Sequence, residues 1–330
     1  MDHSPRRYSI GKLLVLLGLV FLFVWVFVSR QDILDWARLR GYTPSAQITS
    51  VNDSIGLTPL GQKLLYVNRP AVYTSRTDFA AQCPVDMEKT IVLGCYITGD
   101  RGIFLFEPSD ARLAGVVETT AAHEMLHAAY ERLPSEEKSR IDALLTNYYE
   151  TGLTDERIKK TIASYEQADA DIPNEMHSIF GTEVAELPAE LETYYQRYFS
   201  NRKLVLQQLA RYQDEFTRRE AQVASYDAQL KAQKGQIESL ETALKANLAR
   251  LNSIQAQLTA YESNDNYEPY NALIPTYNNL VETYNDQLDR LSASIVTYNQ
   301  TVELRNDLAV EEGELLKALS GSEETEFNSL

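Results

Sequence analysis

The sequence predicts an α+β fold that is mostly α, with a short β-hairpin or small sheet in one segment and a long antiparallel coiled-coil hairpin in another. Three observations lead there. Residues 10–28 are almost continuously apolar; residues 41–200 mix short β-branched and aromatic runs with helical ones; and from Asn201 the chain turns polar, with Gly235 its only Gly or Pro before Pro269. This texture divides the 330 residues into a short tail (1–9), an apolar span (10–28), a mixed domain (41–200), a coiled-coil hairpin (201–320) and an acidic tail (321–330).

At 1.5 Å per residue, the run from Ile10 to Val28 just spans a hydrocarbon core of about 30 Å. Lys12 lies close to its start, where the stem can snorkel. The residues Val26-Phe27-Val28-Ser29-Arg30-Gln31 offer no small-x-small cleavage site, so an uncleaved signal anchor fits better than a cleaved signal peptide. Arg6, Arg7 and Lys12 before the span nearly balance Arg30, Arg38 and Arg40 after it, so flanking charge does not set the orientation. Cys83 and Cys95 are the only two cysteines. They can close a small disulfide loop, which persists in an oxidising compartment, or lie as buried thiols in a reducing one. The disulfide reading gives a single-pass membrane protein with a cytoplasmic N-terminus and its bulk outside the cytoplasm. A formal charge of -16 and no basic patch exclude nucleic acid as a partner.

Within the mixed domain, Thr58 caps a helix that Pro59 opens and Val67 closes. Thr90–Ile97 and Gly102–Glu107 read as strands joined by the turn residues Gly99-Asp100-Arg101-Gly102. Val116–Leu133 is a strong helix stopped by Pro134. Further helices follow over Ser135–Glu150, over Asp155–Ala168, and from Pro173 to about Gly181. In the polar segment, Leu209, Tyr212, Phe216, Arg219, Val223, Tyr226 and Leu230 begin a seam that steps three and four residues without a slip through Gln233 and Asn247 to Tyr261. Ser263-Asn264-Asp265-Asn266 supplies turn chemistry. A second run beats every seven residues at Tyr270, Tyr277, Tyr284, Leu291 and Tyr298, with Leu273, Leu280, Leu288, Ile295 and Val302 between, and Pro275 as a kink or a start. Two runs of equal length favour an antiparallel hairpin, with a coiled-coil partner or self-association as the rival.

The strong helix contains His123-Glu124-Met125-Leu126-His127. Residues four apart share a helical face, so both imidazoles can converge on one Zn2+ while Glu124 leans toward the same side as a general base for water. With only 4 His in the chain, chance produces such a pattern in about 0.4% of cases. Ala121, Ala122, Met125, Leu126, Ala128 and Ala129 make the helix apolar on nearly all sides, which marks it as buried. A third ligand must come from elsewhere, and Glu175, His177, Glu183 and Glu186 are the candidates. On an ideal helix His177 points about 200° from Glu175, so the two do not share an ion easily. His177, Tyr194, Tyr195 and Tyr198 are then candidate donors to an oxyanion.

These motifs resemble the zincin metallopeptidases, and more closely the gluzincin branch, whose third ligand is a Glu on a later helix. Asn174-Glu175 followed by Ile179-Phe180-Gly181 is similar to the Asn-Glu run ending in Ile-Phe-Gly of thermolysin-like members, one residue shorter and with Ile179 where the family carries a supporting Asp. The resemblance covers at most residues 41–200. It implies a zinc-dependent peptide hydrolase acting on a peptide or protein substrate, with His123, His127 and Glu175 as ligands and Glu124 as base. It also implies that Gly102–Glu107 is an edge strand that pairs with extended substrate, whereas the apolar content of the segment equally suits an interior strand. A reading of another class is an envelope scaffold whose zincin-like domain binds without cutting.

Overall fold

The computed structural model describes residues 10–83, 91–99, 102–167 and 170–321. The expected tails, the strand start at Thr90, the turn pair Asp100-Arg101 and the helix end at Ala168 lie outside them. In chain order the elements are α1 (Ile10–Val28), α2 (Arg30–Leu39), α3 (Ala46–Ile55), α4 (Pro59–Val67), β1 (Ala71–Tyr73), α5 (Arg76–Gln82), β2 (Gly94–Ile97) and β3 (Gly102–Phe106). A 3-10 turn at Ala111–Leu113 leads to α6 (Val116–Glu131), α7 (Ser135–Thr151), α8 (Glu156–Gln167), α9 (Ile172–Glu183), α10 (Ala189–Tyr195), α11 (Lys203–Ser263) and α12 (Tyr267–Ser320). The chain forms two compact units. One runs to Tyr212 and takes in the residues from Leu319 onward; the other is Gln213–Ala318. The first ten residues of α11 therefore belong to the first unit.

Among the described residues no single helix is long and apolar enough to cross a membrane; Leu14–Val28 and Arg30–Leu39 meet that condition together, bent by 61°. The residues from Leu14 to Val28 are exposed along their length.

The first unit is built around α6. Its Ala121, Ala122, Met125, Leu126 and Ala128 are fully buried, as expected of a helix apolar on nearly all sides. It packs against α9, α3, α4 and the sheet. The sheet has the order β1-β3-β2. β3 is parallel to β1, with Phe104 opposite Ala71, and antiparallel to β2, with Phe104 opposite Cys95. The strand that immediately precedes the motif helix is therefore central, and the expected edge position of Gly102–Glu107 is corrected. Among the described residues β1 and β2 are the outer strands, with β2 on the side of β3 away from β1. Cys83 and Cys95 form a disulfide that ties the end of α5 to that edge strand, so the thiol alternative falls away.

α9 also differs from expectation. Gly181 does not end it, because the helix continues to Glu183. A Cβ at Gly181 would stand 2.4 Å from Leu126 Cδ1 and 2.7 Å from Tyr195 Cε1, so the missing side chain permits close contact with α6 and α10. Beyond Glu183 the chain is gathered by Arg202, whose guanidinium is buried. It donates to the carbonyl oxygens of Val184 at 2.6 Å and Ala185 at 3.1 Å and pairs with Glu192 at 2.7 Å.

In the second unit α11 and α12 form the antiparallel hairpin. Every seam position from Phe216 to Tyr261 is buried or half-buried, as the periodicity predicts. Cross-helix hydrogen bonds join Gln233 to Thr301 at 3.1 Å, Asn247 to Gln287 at 2.9 Å and Tyr277 to Gln255 at 2.8 Å. Each step toward the C-terminus on one helix is matched by a step toward the N-terminus on the other. Two details are corrected. α12 begins at Tyr267 and continues helical through Pro275, which does not mark its start. Leu288 and Ile295 are not seam residues; they are 41% and 40% exposed, while Gln287, Ser294 and Thr301 occupy the inner positions. The seam keeps its alternating three and four spacing because its polar members on α11 require polar partners, and Gln287 and Thr301 supply them.

Arg202→Leu is expected to destabilise the first unit by about 2 kcal/mol. It strands two main-chain carbonyls, while the loss at Glu192 is discounted because that side chain is 38% exposed. Urea titration followed by tyrosine near-ultraviolet circular dichroism measures it, and an unchanged midpoint would show that water replaces the guanidinium.

Candidate metal centre

Two helices supply the centre. On α6, His123 and His127 stand one turn apart with their Nε2 atoms 3.1 Å from each other. α9 is capped at its start by Asp171 and opened by Pro173, which puts Glu175 in its first turn. Glu175 Oε2 lies 3.9 Å from His123 Nε2 and 3.8 Å from His127 Nε2. Three points so spaced lie on a circle of radius about 2.1 Å, so one ion can stand about 2.1 Å from all three donors, the distance zinc takes to imidazole nitrogen and carboxylate oxygen. Glu175 Oε2 is buried and has no hydrogen-bond partner among the described residues. A buried carboxylate oxygen facing two ring nitrogens, without a donor, has the chemistry of a cation ligand.

The surroundings prepare the donors. His127 Nδ1 is 2.9 Å from Asn174 Oδ1. With that oxygen accepting, the proton sits on Nδ1 and Nε2 presents its lone pair. Burial, and then the neighbouring His127 and His177, hold His123 well below the usual imidazole range; burial also lowers His127. Burial thus favours the neutral form of both rings, the form that binds metal. Burial raises Glu175 to about 7, with Asp171 adding to it. Burial and then the Glu175 charge raise Glu124 to about 8, against the pull of the Tyr96 main chain.

These groups line a cavity of about 1150 Å3, and β2 forms one of its walls. β2 passes very close to α6. A Cβ on Gly94 would meet Thr120 Cγ2 at 2.3 Å and Glu124 Oε1 at 3.1 Å, so glycine is required for the strand to lie there. Glu124 is 6% exposed and faces the cavity between this strand and the donor set.

The other candidates are placed elsewhere. His177 is fully buried on the far side of α9, with Nε2 2.8 Å from the Tyr194 hydroxyl. Burial pushes it down to about 3. Tyr195 donates to the His177 carbonyl at 2.7 Å, and Tyr194 contacts Tyr198 at 3.1 Å. None of these four lines the cavity, so the expectation of His177 as ligand, or of His177 and Tyr195 as oxyanion donors, is corrected; the 200° offset along α9 is the reason. Glu183 reaches the cavity rim but is bound to Arg157 at 2.7 Å. Glu186 is exposed, and its carbonyl accepts from Tyr148. Sequence reasoning missed Asn174, whose place beside Glu175 was the available signal. It also missed Tyr165 of α8, which lines the cavity and is raised by burial and by the charges of Glu175 and Glu124. No periodicity marks a single phenol on a polar helix.

No protein-family model, curated protein or solved structure matches the chain.

Asn174→Ala is expected to weaken zinc binding about 10- to 100-fold by freeing the His127 tautomer, measured by competition with a chromogenic chelator. A pH dependence follows from the two carboxylates. Both are raised above the ordinary 4.5, so the metal-free fold retains protons that the unfolded chain releases. That contribution is complete below about 4.5 and is lost as pH rises toward 8. Zinc requires the deprotonated forms, so its affinity and the thermal stabilisation it confers are expected to rise from pH 6 to pH 8. Calorimetry at pH 7 in buffers of different ionisation enthalpy should register proton release on binding; no release would contradict the assignment of Glu175.

Proposed function

We propose that the protein is a membrane-anchored zinc metallopeptidase of the zincin type, in which His123, His127 and Glu175 hold the metal and Glu124 is the general base. The observation that carries this reading is the meeting of two imidazole nitrogens and the buried Glu175 Oε2 around a point about 2.1 Å from each, beside a second carboxylate, Glu124, that is not a ligand. Zinc, when bound, supplies Lewis acidity toward the scissile carbonyl and a charge that returns both carboxylates to their ionised forms. Glu124 then takes a proton from the attacking water and passes it to the leaving amine. Tyr165 lines the same cavity and is, in this reading, the phenol that donates to the developing oxyanion. β2, an outer strand of the sheet among the described residues, is the strand that would pair with an extended peptide, in the manner of strand addition.

The anchor is the apolar helix α1, which with α2 makes the bent apolar pair. The Cys83–Cys95 disulfide supports an oxidising compartment for the first unit and thus a cytoplasmic N-terminus. The hairpin carries no catalytic group in this reading and serves for positioning or partner recognition.

The test is the full chain purified in detergent, assayed for zinc content and for cleavage of a peptide library. Wild type should hold about one zinc per chain. Glu124→Gln should keep the metal and lose at least about 100-fold in turnover, as expected for removal of a general base. His123→Ala should lose the metal. Zinc without turnover in the wild type would favour the scaffold reading, and a folded chain that takes no zinc would end the peptidase reading and leave the scaffold as the better account.

A further inference from the structure

α2 is amphipathic in the inverted sense. At 100° per residue, Ile33 and Ala37 lie opposite Asp35, and Leu34 and Trp36 flank them on that same outward arc. Asp35 faces inward. It is 2% exposed, 3.0 Å from Lys63 Nζ on α4, 3.0 Å from Arg132 Nη1 at the end of α6, and 3.1 Å from Gln31 Nε2. Asp32 adds a second contact to Lys63 at 2.9 Å, and Arg69 donates to the Arg38 carbonyl at 2.9 Å. The outward arc carries exposed apolar side chains, with Ile33 39%, Leu34 55% and Trp36 63% accessible, between Arg30 and Arg40 at its two ends. A helix on the surface of a water-soluble domain does the reverse, burying its apolar face and hydrating its polar one. This apolar arc follows α1 after the single residue Ser29, and each helix carries an aromatic–guanidinium pair. Arg30 lies 5.7 Å from the Phe27 ring and Arg40 5.4 Å from the Trp36 ring. Tryptophan with arginine beside an apolar span is the composition of the headgroup boundary.

We propose that α2 is an interfacial helix. Its outward face enters the headgroup region of the bilayer that α1 spans, and Asp35 fastens it through Arg132 to the end of the metal-binding helix. The first unit is then fixed against the lipid surface instead of hanging on a flexible linker. The 61° bend between α1 and α2 is the turn from a spanning to an in-plane direction. The occupant is lipid because the apolar arc is continuous with α1 and is flanked by cations suited to anionic headgroups. This inference rests on the anchor reading of α1, and the two fail differently.

The chain has 2 tryptophans, so each can be observed alone. The full chain carrying Trp25→Phe, which leaves Trp36, is reconstituted in vesicles of equal parts phosphatidylcholine and phosphatidylglycerol, with bromines at a shallow or a deep acyl position. Trp36 emission should fall roughly twofold with shallow bromines and less with deep ones, as for an interfacial helix. The Trp36→Phe chain reports Trp25 in the same vesicles. If Trp25 is quenched while Trp36 is untouched by bromine and open to aqueous acrylamide, the anchor stands and the interfacial helix is overturned. A Trp36 shielded from both quenchers would mean that protein covers the arc, which also overturns it. If neither tryptophan is quenched, the anchor reading fails and takes this inference with it.

Discussion

The first unit depends on one demanding placement: a buried carboxylate oxygen without a hydrogen-bond partner among the described residues, held 3.8 and 3.9 Å from two imidazole nitrogens. Such groups do not gather by attraction, so the surrounding core must impose the geometry. α6 is buried on nearly every side, and the cavity is the outlet open to its two histidines. α9 is drawn onto it by the absent side chain at Gly181 and held beyond its C-terminus by the Arg202 guanidinium. Asn174 then fixes the last rotational freedom of His127. Each restraint acts on a different atom group, yet all converge on the separation of Glu175 from the histidine pair.

The open side of the cavity has its own support. β2 is only four residues long and has a single strand partner among the described residues, a weak arrangement for an edge. The disulfide at Cys95 gives it a covalent link to α5. Beside that link Phe79 and Phe106 pack with Cys83, and Arg76 lies over both rings while donating to the Val92 carbonyl at 2.6 Å. The strand that faces Glu124 is thus held from behind by a staple and an aromatic cluster. On its front the Tyr96 main chain hydrogen-bonds to Glu124. Gly94 completes the arrangement by letting the strand approach α6 closely.

The parts of this structure that were legible in the sequence are those governed by short-range periodicity. His123 and His127 share a face because of the helical repeat, and the same arithmetic separates Glu175 from His177. The sheet order was not legible. β1 is three residues long and joins β3 by a parallel pairing across some thirty positions, and nothing local in Ala71-Val72-Tyr73 announces it. That hidden strand is what turns β3 from an edge into the centre. Gly181 misled for a related reason: glycine is a common helix terminator, but here its value is the contact it permits with Leu126, a residue far away in sequence. The inverted face of α2 escaped because Asp35 reads as a surface charge until Lys63 and Arg132 are brought to it.

The hairpin shows a local preference losing to a pairing requirement. Leu288 and Ile295 are better core residues than Gln287 and Ser294 by any hydrophobic measure, yet they face outward. The reason lies in the three polar members of the α11 seam. Arg219 meets Glu311 at 3.3 Å, Gln233 meets Thr301, and Asn247 meets Gln287. Sliding α12 by one heptad in one direction would set Asn247 against Leu280 and Arg219 against Leu304. In the other direction Gln233 would face Leu308 and Arg219 would face Ala318. Either slip costs Arg219 its Glu311 contact, leaving only the Glu215 contacts of its own helix, and leaves one amide unpaired, at about 1–3 kcal/mol for that buried group. A seam of aliphatic residues alone would tolerate the shift at little cost, because each layer resembles the next. The polar layers lower the stability of the correct alignment and lower that of its neighbours further, and the difference is what fixes the register.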